Sequence, residues 1–133
     1  MNKALEFLKE SGVFYLATTE GDQPRVRPFG AVFEYEGKLY ILTNNTKKCF
    51  KQMSENPKVE ISSMNKKGQW IRITGEVTND DRREVKKFAL EAVPSIKSMY
   101  NIDDGIFAVL YFTKGTATIS SFTTVPETFS LYI

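Results

Sequence analysis

The sequence contains no histidine and a single cysteine, Cys49. Without histidine the chain cannot build a Ser-His-Asp or Cys-His nucleophile, a histidine-ligated haem or a histidine-containing zinc site. One cysteine cannot form an intrachain disulfide, so nothing in the sequence favours an oxidising compartment. These absences exclude the histidine-dependent hydrolases, the common haem proteins and the disulfide-stabilised secreted domains.

Long apolar runs are also missing. No stretch approaches the roughly 18 apolar residues of a membrane-spanning helix, and the amphipathic segment 1–10 lacks the apolar centre of a signal peptide. We therefore expect no membrane partner and a cytoplasmic location. The 133 residues, of which 41% are hydrophobic, fit a single domain, 1–133.

The net charge of +2 hides an uneven distribution. Residues 23–75 contain ten Lys or Arg and four acids, a local charge of +6, whereas residues 1–22 and 76–133 each carry −2. A modest local excess of this kind suits a small anionic ligand. It is too weak for the clustered basic face of a duplex-binding protein, so we expect no nucleic acid partner.

The pattern of apolar residues predicts antiparallel strands joined by tight turns. The predicted strands are 13–19, 25–35, 38–43, 59–64, 69–78, and a last hairpin of 105–113 with 116–123 that turns at Lys114-Gly115. Short helices are predicted before Gly12, from Thr46 to Glu55 and from Asn79 to about Ala92, with a further helical piece from Pro94. The tail, 124–133, has no clear pattern. Because closure removes exposed edges, we expect a small barrel.

The first candidate site is the segment from Thr43 to Lys48, where a strand ends and a helix begins. A helix N-terminus offers unpaired N–H groups and a partial positive charge. Lys47 and Lys48 are electrostatically unfavourable there unless an anion such as phosphate binds between the N–H groups, the hydroxyls and the ammonium groups. The alternative is that both lysines point into solvent.

Two further candidates lie on strands. Arg25 and Arg27 are two residues apart and share a face, while Pro28 breaks the ladder beyond them and leaves backbone groups free for a ring system or a phosphate. Trp70 and Arg72 also share a face, and the tryptophan either stacks on a planar ligand or fills the core or a dimer interface. For the arginine pair, a solvated strand face is the alternative.

In this order and spacing, several fragments of the chain resemble the small flavin-binding split-barrel proteins related to pyridoxamine 5′-phosphate oxidase, and among them the short nitroimidazole-resistance (Nim-type) proteins. The fragments are YLAT (15–18), GDQPRVRP (21–28), GKLYILT (37–43), Lys48 followed by NPKV (56–59), and WIRITG (70–75). The resemblance implies a mainly β fold with short helices, a split β-barrel of about six to seven antiparallel strands. It also implies a homodimer with flavin mononucleotide (FMN) in each of two interface clefts.

The resemblance implies a cofactor site built from three parts of the chain. The residues along the isoalloxazine are Arg25, Val26, Arg27 and Pro28. The residues at the ribityl chain and the phosphate are Thr43, Asn44, Lys47, Lys48 and Gln52, with Lys48 favoured for the phosphate. The residues that approach from the next strand, in the same or the partner subunit, are Trp70 and Arg72.

The implied function is an FMN-dependent oxidoreductase that reduces a small electrophile, such as a nitroaromatic compound, with electrons from a nicotinamide donor. Vitamin B6 oxidation is not expected, because the sequence lacks the C-terminal Arg-plus-His signature of that substrate site. The site histidine often described for Nim-type proteins is absent too. No catalytic residue stands out: Tyr35, Tyr40 and Tyr100 are acids of a suitable type, unranked, and no metal site is expected.

Three alternatives stay open. The chain could be a flavin carrier, store or redox sensor without turnover, which the missing histidine favours. It could bind the deazaflavin F420, whose acidic tail would require basic residues such as Lys66 and Lys67. It could also be a single-strand nucleic-acid-binding barrel, although its aromatic residues alternate as core residues do.

Overall fold

The computed structural model describes residues 2–132, and an eight-stranded antiparallel sheet is their main structural element. The strands are β1 (Phe14–Glu20), β2 (Gln23–Phe29), β3 (Val32–Tyr35), β4 (Lys38–Asn44), β5 (Lys58–Met64), β6 (Trp70–Asp80), β7 (Phe107–Ser120) and β8 (Glu127–Ser130). The helices are α1 (Asn2–Ser11), α2 (Lys48–Glu55), α3 (Arg83–Ala92) and a short 3₁₀ segment (Pro94–Ser98). This confirms a mainly β fold with short helices, and the tail adds the strand β8.

The strand order explains why the sheet curls into a split barrel. Along the sheet the order is β2-β1-β5-β6-β7-β4-β3. The strand β8 pairs with residues 116–119 of β7, beyond the residues of β7 that pair with β4. The two end strands, β2 and β3, are separated in the chain by only Gly30 and Ala31. The sheet must therefore bend until its two edges meet, and this brings residues from opposite edges together.

The prediction of one strand over 25–35 was wrong, since β2 ends at Phe29 and β3 begins at Val32. Pro28 has no N–H to donate to a ladder, and within residues 2–132 the strand β2 pairs with β1 alone. The chain then leaves one edge of the sheet and joins the other. The proline therefore lies in an edge strand, just before the chain crosses from one edge of the sheet to the other.

The predicted last hairpin was also wrong, because β7 runs unbroken through Lys114 and Gly115. Gly115 pairs with Gly75 of β6, and the register shifts between Glu76 and Val77 of β6 instead. A Cβ atom at Gly75 would lie 2.4 Å from the Lys114 carbonyl oxygen. The two glycines thus allow a close approach of two strands where the sequence suggested a turn.

Two helix starts differ from the prediction. Helix α2 begins at Lys48 instead of Thr46, and α3 begins at Arg83 while Asn79 still belongs to β6. The chain turns after β6 because Asp80 accepts a hydrogen bond from the backbone N–H of Arg82 at 3.1 Å. No helix in the described part of the chain is both long and apolar enough to cross a membrane.

The buried side chains form two hydrophobic clusters. The barrel core lies inside the curled sheet under α1 and α2; members include Phe14, Leu16, Ile61, Ile71, Ile73 and Phe112. The second core lies between α3, the 3₁₀ segment and strands β3, β4 and β7; members include Phe33, Tyr40, Val85, Ile96 and Phe107. The strict alternation of buried and exposed residues along β5 shows that one sheet face covers the barrel core.

Candidate functional site

A cavity of about 310 Å³ lies at the β2–β3 connection, and we call it the edge cavity. Its wall is formed by this connection, the end of β4, the residue before α2 and the 3₁₀ segment. Pro28, Thr43 and Lys47 line it, so the last residue of the predicted segment 25–28 meets two residues of the predicted segment 43–48 there. Its remaining wall is mostly apolar and includes Ile96 and Met99.

Asn44 makes three hydrogen bonds at the loop between β4 and α2. The Asn44 Oδ1 accepts hydrogen bonds from the backbone N–H of Thr46 at 3.0 Å and from its hydroxyl at 2.5 Å. The Asn44 Nδ2 donates to the Tyr100 hydroxyl at 2.8 Å. Asn44 therefore connects the loop to Tyr100, which follows the 3₁₀ segment in the wall of the edge cavity. This structural role differs from the cofactor contact that the resemblance implies.

The start of α2 carries two lysines with no capping side chain. Lys47 is the N-cap residue and makes no side-chain cap hydrogen bond, and Lys48 follows as the exposed first helical residue. Among residues 2–132, neither lysine takes part in a salt bridge. The N-terminal backbone donors and both ammonium groups are thus available to an anion. The next residue, Cys49, is buried, with its Sγ 3.8 Å from the Thr43 Oγ1, and serves packing.

Arg27 is fixed by a hydrogen-bonded network that the sequence did not reveal. Its guanidinium donates to the Leu16 carbonyl at 2.9 Å, to the Thr18 hydroxyl at 2.8 Å and to the Gln52 Oε1 at 2.9 Å. Thr18 and Gln52 are buried, and the Thr18 hydroxyl donates to the Gln52 Oε1 at 2.6 Å. Gln52 of α2 thus orients the Arg27 side chain, and the position of its positive charge is fixed by these hydrogen bonds.

Arg25 occupies the same strand face but is exposed. It donates from Nε and Nη2 to the Glu20 carboxylate, at 3.2 and 2.9 Å. The hydrogen bond from Arg25 lowers the pKa of Glu20, with the Arg25 charge next and smaller contributions from Gln52 and Lys48. This carboxylate therefore stays ionised beside the basic residues. Val26 lies on the opposite face of β2 and is 68% exposed.

Trp70 and Arg72 do not reach the edge cavity within the chain. They share one face of β6, as their spacing predicted, and this face points away from the barrel core, opposite Ser120 and Thr118 of β7. The Trp70 ring packs against Phe122 with a centroid distance of 5.0 Å. Any role of this pair at the cavity would have to come from a second copy of the chain.

The structure separates the three tyrosines that sequence reasoning left unranked. The Tyr40 hydroxyl donates to Asp80 at 2.8 Å, and burial raises the pKa of Tyr40. The ring of Tyr35 packs against Phe88 at 4.9 Å. Tyr100 alone of the three lines the edge cavity. No local sequence pattern distinguishes Tyr100 from the other two, because its position at the cavity depends on how the segment after α3 packs against β4.

A second and larger cavity, of about 580 Å³, surrounds the close approach of β6 and β7, and we call it the bulge cavity. Gly75, Gly115, Glu76 and Lys114 line it, and none of the predicted site residues does. The Lys114 ammonium is already paired with the Glu76 carboxylate at 2.9 Å. Within residues 2–132, the acidic side chains and the cysteine form no group of three that could hold a metal ion.

Comparison with known proteins confirms the resemblance. The chain belongs to the pyridoxamine 5′-phosphate oxidase family, whose family model matches residues 1–109. Within it, the chain is similar to a NimC/NimA family protein from Clostridium acetobutylicum, at 82% identity over 98% of this chain and 91% of the other, with a TM-score of 0.97.

More distant structures share the fold alone. General stress protein 26 from Bacillus anthracis str. Sterne is 18% identical over 96% of this chain and 95% of its own, with a TM-score of 0.77. A FAD-binding protein from Mesorhizobium loti is 14% identical over 90% and 94%, with a TM-score of 0.62. A comparison with curated protein sequences gave no match.

Proposed function

We propose that the protein is an FMN-dependent oxidoreductase that reduces a small electrophilic acceptor, with residues 1–133 forming one cytoplasmic flavin-binding domain. The observation that carries the proposal is the meeting of Pro28, Thr43 and Lys47 in the edge cavity. Family membership and a structural relative named as FAD-binding support a flavin as the ligand.

The residues around the edge cavity fit a phosphate-bearing flavin. Lys47 and Lys48 provide cations that lack a salt bridge within residues 2–132, beside the uncapped start of α2. Charge-assisted hydrogen bonds to phosphate are among the strongest that a protein makes. The apolar wall suits a planar ring, and about 310 Å³ lies at the lower end of ligand-pocket volumes. The remainder of the cofactor would then lie against a partner subunit.

When bound, the flavin would carry the electrons or the hydride, and the chain supplies orientation and charge. Arg27 is held by Thr18 and Gln52 and therefore presents a fixed positive charge beside Gln52 of α2. A fixed cation stabilises negative charge without a reorganisation cost. Lys47 and Lys48 would hold the phosphate, and the backbone of Val26 and Pro28 would lie along the ring.

We further propose a homodimer in which Trp70 and Arg72 reach the cofactor of the partner subunit. The outward face that carries them also exposes large apolar side chains: Tyr15 at 50%, Val26 at 68%, Met64 at 60% and Phe122 at 89%. A soluble monomer rarely keeps such a set in water, and contiguous apolar surface marks an interface. A partner across this face would also complete the walls of the edge cavity.

The test is the absorption spectrum from about 300 to 550 nm of the purified protein, before and after addition of FMN and desalting; these wavelengths cover the flavin bands. We expect the bands to remain with the wild type and with Lys51→Ala, a control on the exposed side of α2. The double variant Lys48→Ala with Thr43→Ala should fold but lose FMN. Unchanged retention in the double variant would refute the site.

Two further outcomes would redirect the function. A protein that ignores FMN but binds F420 would keep the fold and exchange the cofactor. If FMN binds, the reduced flavin should be reoxidised faster by an electrophile such as a nitroaromatic compound than by oxygen alone. Equal rates would favour a flavin carrier or sensor over an enzyme, and reduction by a nicotinamide nucleotide would identify the electron donor.

A further inference from the structure

Thr18 lies where β1, β2 and α2 meet, and it is 2% exposed. Gln52 of α2, which it contacts, is 5% exposed. The guanidinium of Arg27, from β2, donates to both side chains, to the Thr18 hydroxyl at 2.8 Å and to the Gln52 Oε1 at 2.9 Å. Two buried polar side chains from different elements therefore converge on one arginine.

The chemistry of the arginine fixes the direction of every hydrogen bond in this group. A guanidinium can only donate, so the Thr18 oxygen and the Gln52 Oε1 are both acceptors for Arg27. The hydrogen of the Thr18 hydroxyl then goes to the Gln52 Oε1, which lies 2.6 Å away. The hydroxyl is thus used twice, as an acceptor for Arg27 and as a donor to Gln52, and a side chain of the same shape without it would break both contacts.

Arg27 and Arg25 share a strand face but differ in how their charges are balanced. Arg25 is exposed and pairs with the Glu20 carboxylate at 2.9 Å. Arg27 is part-buried, makes no salt bridge within residues 2–132, and donates there to three acceptors that are all uncharged. Ordering an arginine side chain costs conformational entropy. The chain bears this cost without forming an ion pair, and the result is a fixed charge that can act on a bound group.

We propose that Thr18 is a positioning residue that, by holding Arg27, raises the affinity of the site for the reduced flavin relative to the oxidised flavin. The inference rests on the proposed function, in which the backbone of Val26 and Pro28, on either side of Arg27, lies along the ring. Uptake of two electrons and one proton adds one negative charge to the ring and leaves the phosphate unchanged. A cation that is already in place stabilises this new charge without reorganisation.

The experiment compares Thr18→Val, which keeps the shape of the side chain but removes the hydroxyl, with Thr18→Ser, which keeps the hydroxyl. The readout is the midpoint potential of FMN bound to the full-length protein, since its shift from free FMN measures the ratio of the affinities for the reduced and oxidised forms. We expect Thr18→Val to lower this ratio about 10-fold, which is about 30 mV for a two-electron couple, and Thr18→Ser to restore it. The affinity for oxidised FMN, from a fluorescence titration, should stay nearly unchanged.

A second variant removes the effect by the opposite means. Gln52→Glu keeps an acceptor for Arg27 but adds a carboxylate, so the guanidinium stays in place with its charge balanced, and the ratio should again fall. The matched control is Thr19→Val. The Thr19 hydroxyl also joins β1 to α2, because it accepts from the Asn56 Nδ2 at 2.9 Å, but within residues 2–132 it makes no hydrogen bond to Arg27. Its ratio should match the wild type.

A measurement on the flavin-free protein tests the positioning by itself. Hydrogen-bonded N–H groups are protected from exchange with water. The NMR signals of the Arg27 guanidinium should therefore be resolved in the wild type and in Thr18→Ser, and lost in Thr18→Val.

The outcomes separate this inference from the proposed function. A wild type that keeps no flavin bands after desalting would refute the proposed function, and the inference would fall with it. If FMN is retained, equal weakening of both oxidation states by Thr18→Val would place Arg27 at the phosphate and overturn the inference alone. An equal fall of the ratio in Thr19→Val, or guanidinium signals that Thr18→Val leaves unchanged, would overturn it too. A lower ratio in Thr18→Val and Gln52→Glu, with rescue by serine, would support it.

Discussion

The edge cavity is about 310 Å³ and the bulge cavity about 580 Å³, yet only the smaller one contains residues of the predicted cofactor site. In the bulge cavity the cation Lys114 is already paired with Glu76, and the walls follow from the contact of Gly75 with Gly115. In the edge cavity Lys47 has no salt bridge within residues 2–132. An unpaired cation, more than volume, distinguishes a binding site from a gap left by strand packing.

The two cavities also differ in the cores that they touch. The edge cavity is lined by Leu42 and Ile96 of the second core and by Phe29 of the barrel core, whereas the bulge cavity is lined by Val59 of the barrel core. The second core is covered by α3 and the 3₁₀ segment, which join β6 to β7. Changes at the bulge should therefore affect stability first, and changes at the edge cavity should affect binding first.

The largest expected effect is on the bulge side, from Gly75→Ala. The added methyl group would meet the Lys114 carbonyl oxygen and the Phe112 ring, at 2.4 and 2.8 Å. Since a backbone atom cannot rotate away, we expect the free energy of unfolding to fall by about 2–4 kcal/mol, measured by urea denaturation.

The matched control is Gly30→Ala in the edge cavity, where a Cβ atom has open space and the φ angle is not positive. Its free energy of unfolding should change by less than about 1 kcal/mol. Equal losses in the two variants would contradict the assignment of the bulge as a packing feature.

The next effect is on binding. Replacement of Lys47 and Lys48 together by alanine removes both cations at the start of α2, and we expect FMN affinity to fall about 10- to 100-fold in a fluorescence titration. The unfolding free energy should hardly change, because both side chains are exposed. An unaltered FMN affinity would show that the phosphate binds elsewhere.

A smaller effect is expected on the pH dependence of stability, through Asp80, which bonds Tyr40 of the second core. Burial alone would raise the pKa of Asp80, but hydrogen bonds from Arg82 and Tyr40 outweigh it and lower that pKa. A lowered carboxyl pKa adds stability above the unfolded value of about 3.9, and this stability is lost as the pH falls through the folded pKa. We therefore expect a steep loss of stability below about pH 4.

Asp80→Asn should cost about 1–2 kcal/mol at pH 7 and flatten that acid slope, as followed by thermal melting across pH. The exposed neighbour Asp81 provides the control variant Asp81→Asn, whose slope should match the wild type. A wild-type slope in Asp80→Asn would exclude this network as the source of acid sensitivity.

The smallest expected effect is that of Lys114→Ala. The Lys114 side chain is 74% exposed although it pairs with Glu76, and exposed ion pairs contribute about 0–1 kcal/mol. We expect no change in FMN affinity and a stability loss within that range. A marked fall in FMN affinity would mean that the bulge cavity, and not the edge cavity, holds the anion.

Site residues could be predicted where they belong to one short stretch of sequence, and not where they depend on contacts between distant elements. Thr43, Lys47 and Lys48 come from one local pattern, a strand end followed by a helix start, and the structure places that start within two residues of the prediction. The pairing of Arg27 with Thr18 and Gln52 joins three separate elements, and no local pattern encodes it. Tyr100 was a candidate by residue type alone, and only the folding of the 3₁₀ segment distinguished it from Tyr35 and Tyr40.

The sequence by itself determined the fold class, the strands whose residues alternate, the basic segment 23–75 and the exclusion of histidine chemistry, because these depend on composition and on neighbours in the chain. Only the tertiary structure decided that 25–35 splits into β2 and β3 and that Lys114-Gly115 continues a strand. Both depend on contacts with distant residues: the crossing from one sheet edge to the other, and the approach of Gly75 to Gly115. The edge cavity exists for the same reason, since it forms only when the two edges of one curled sheet meet.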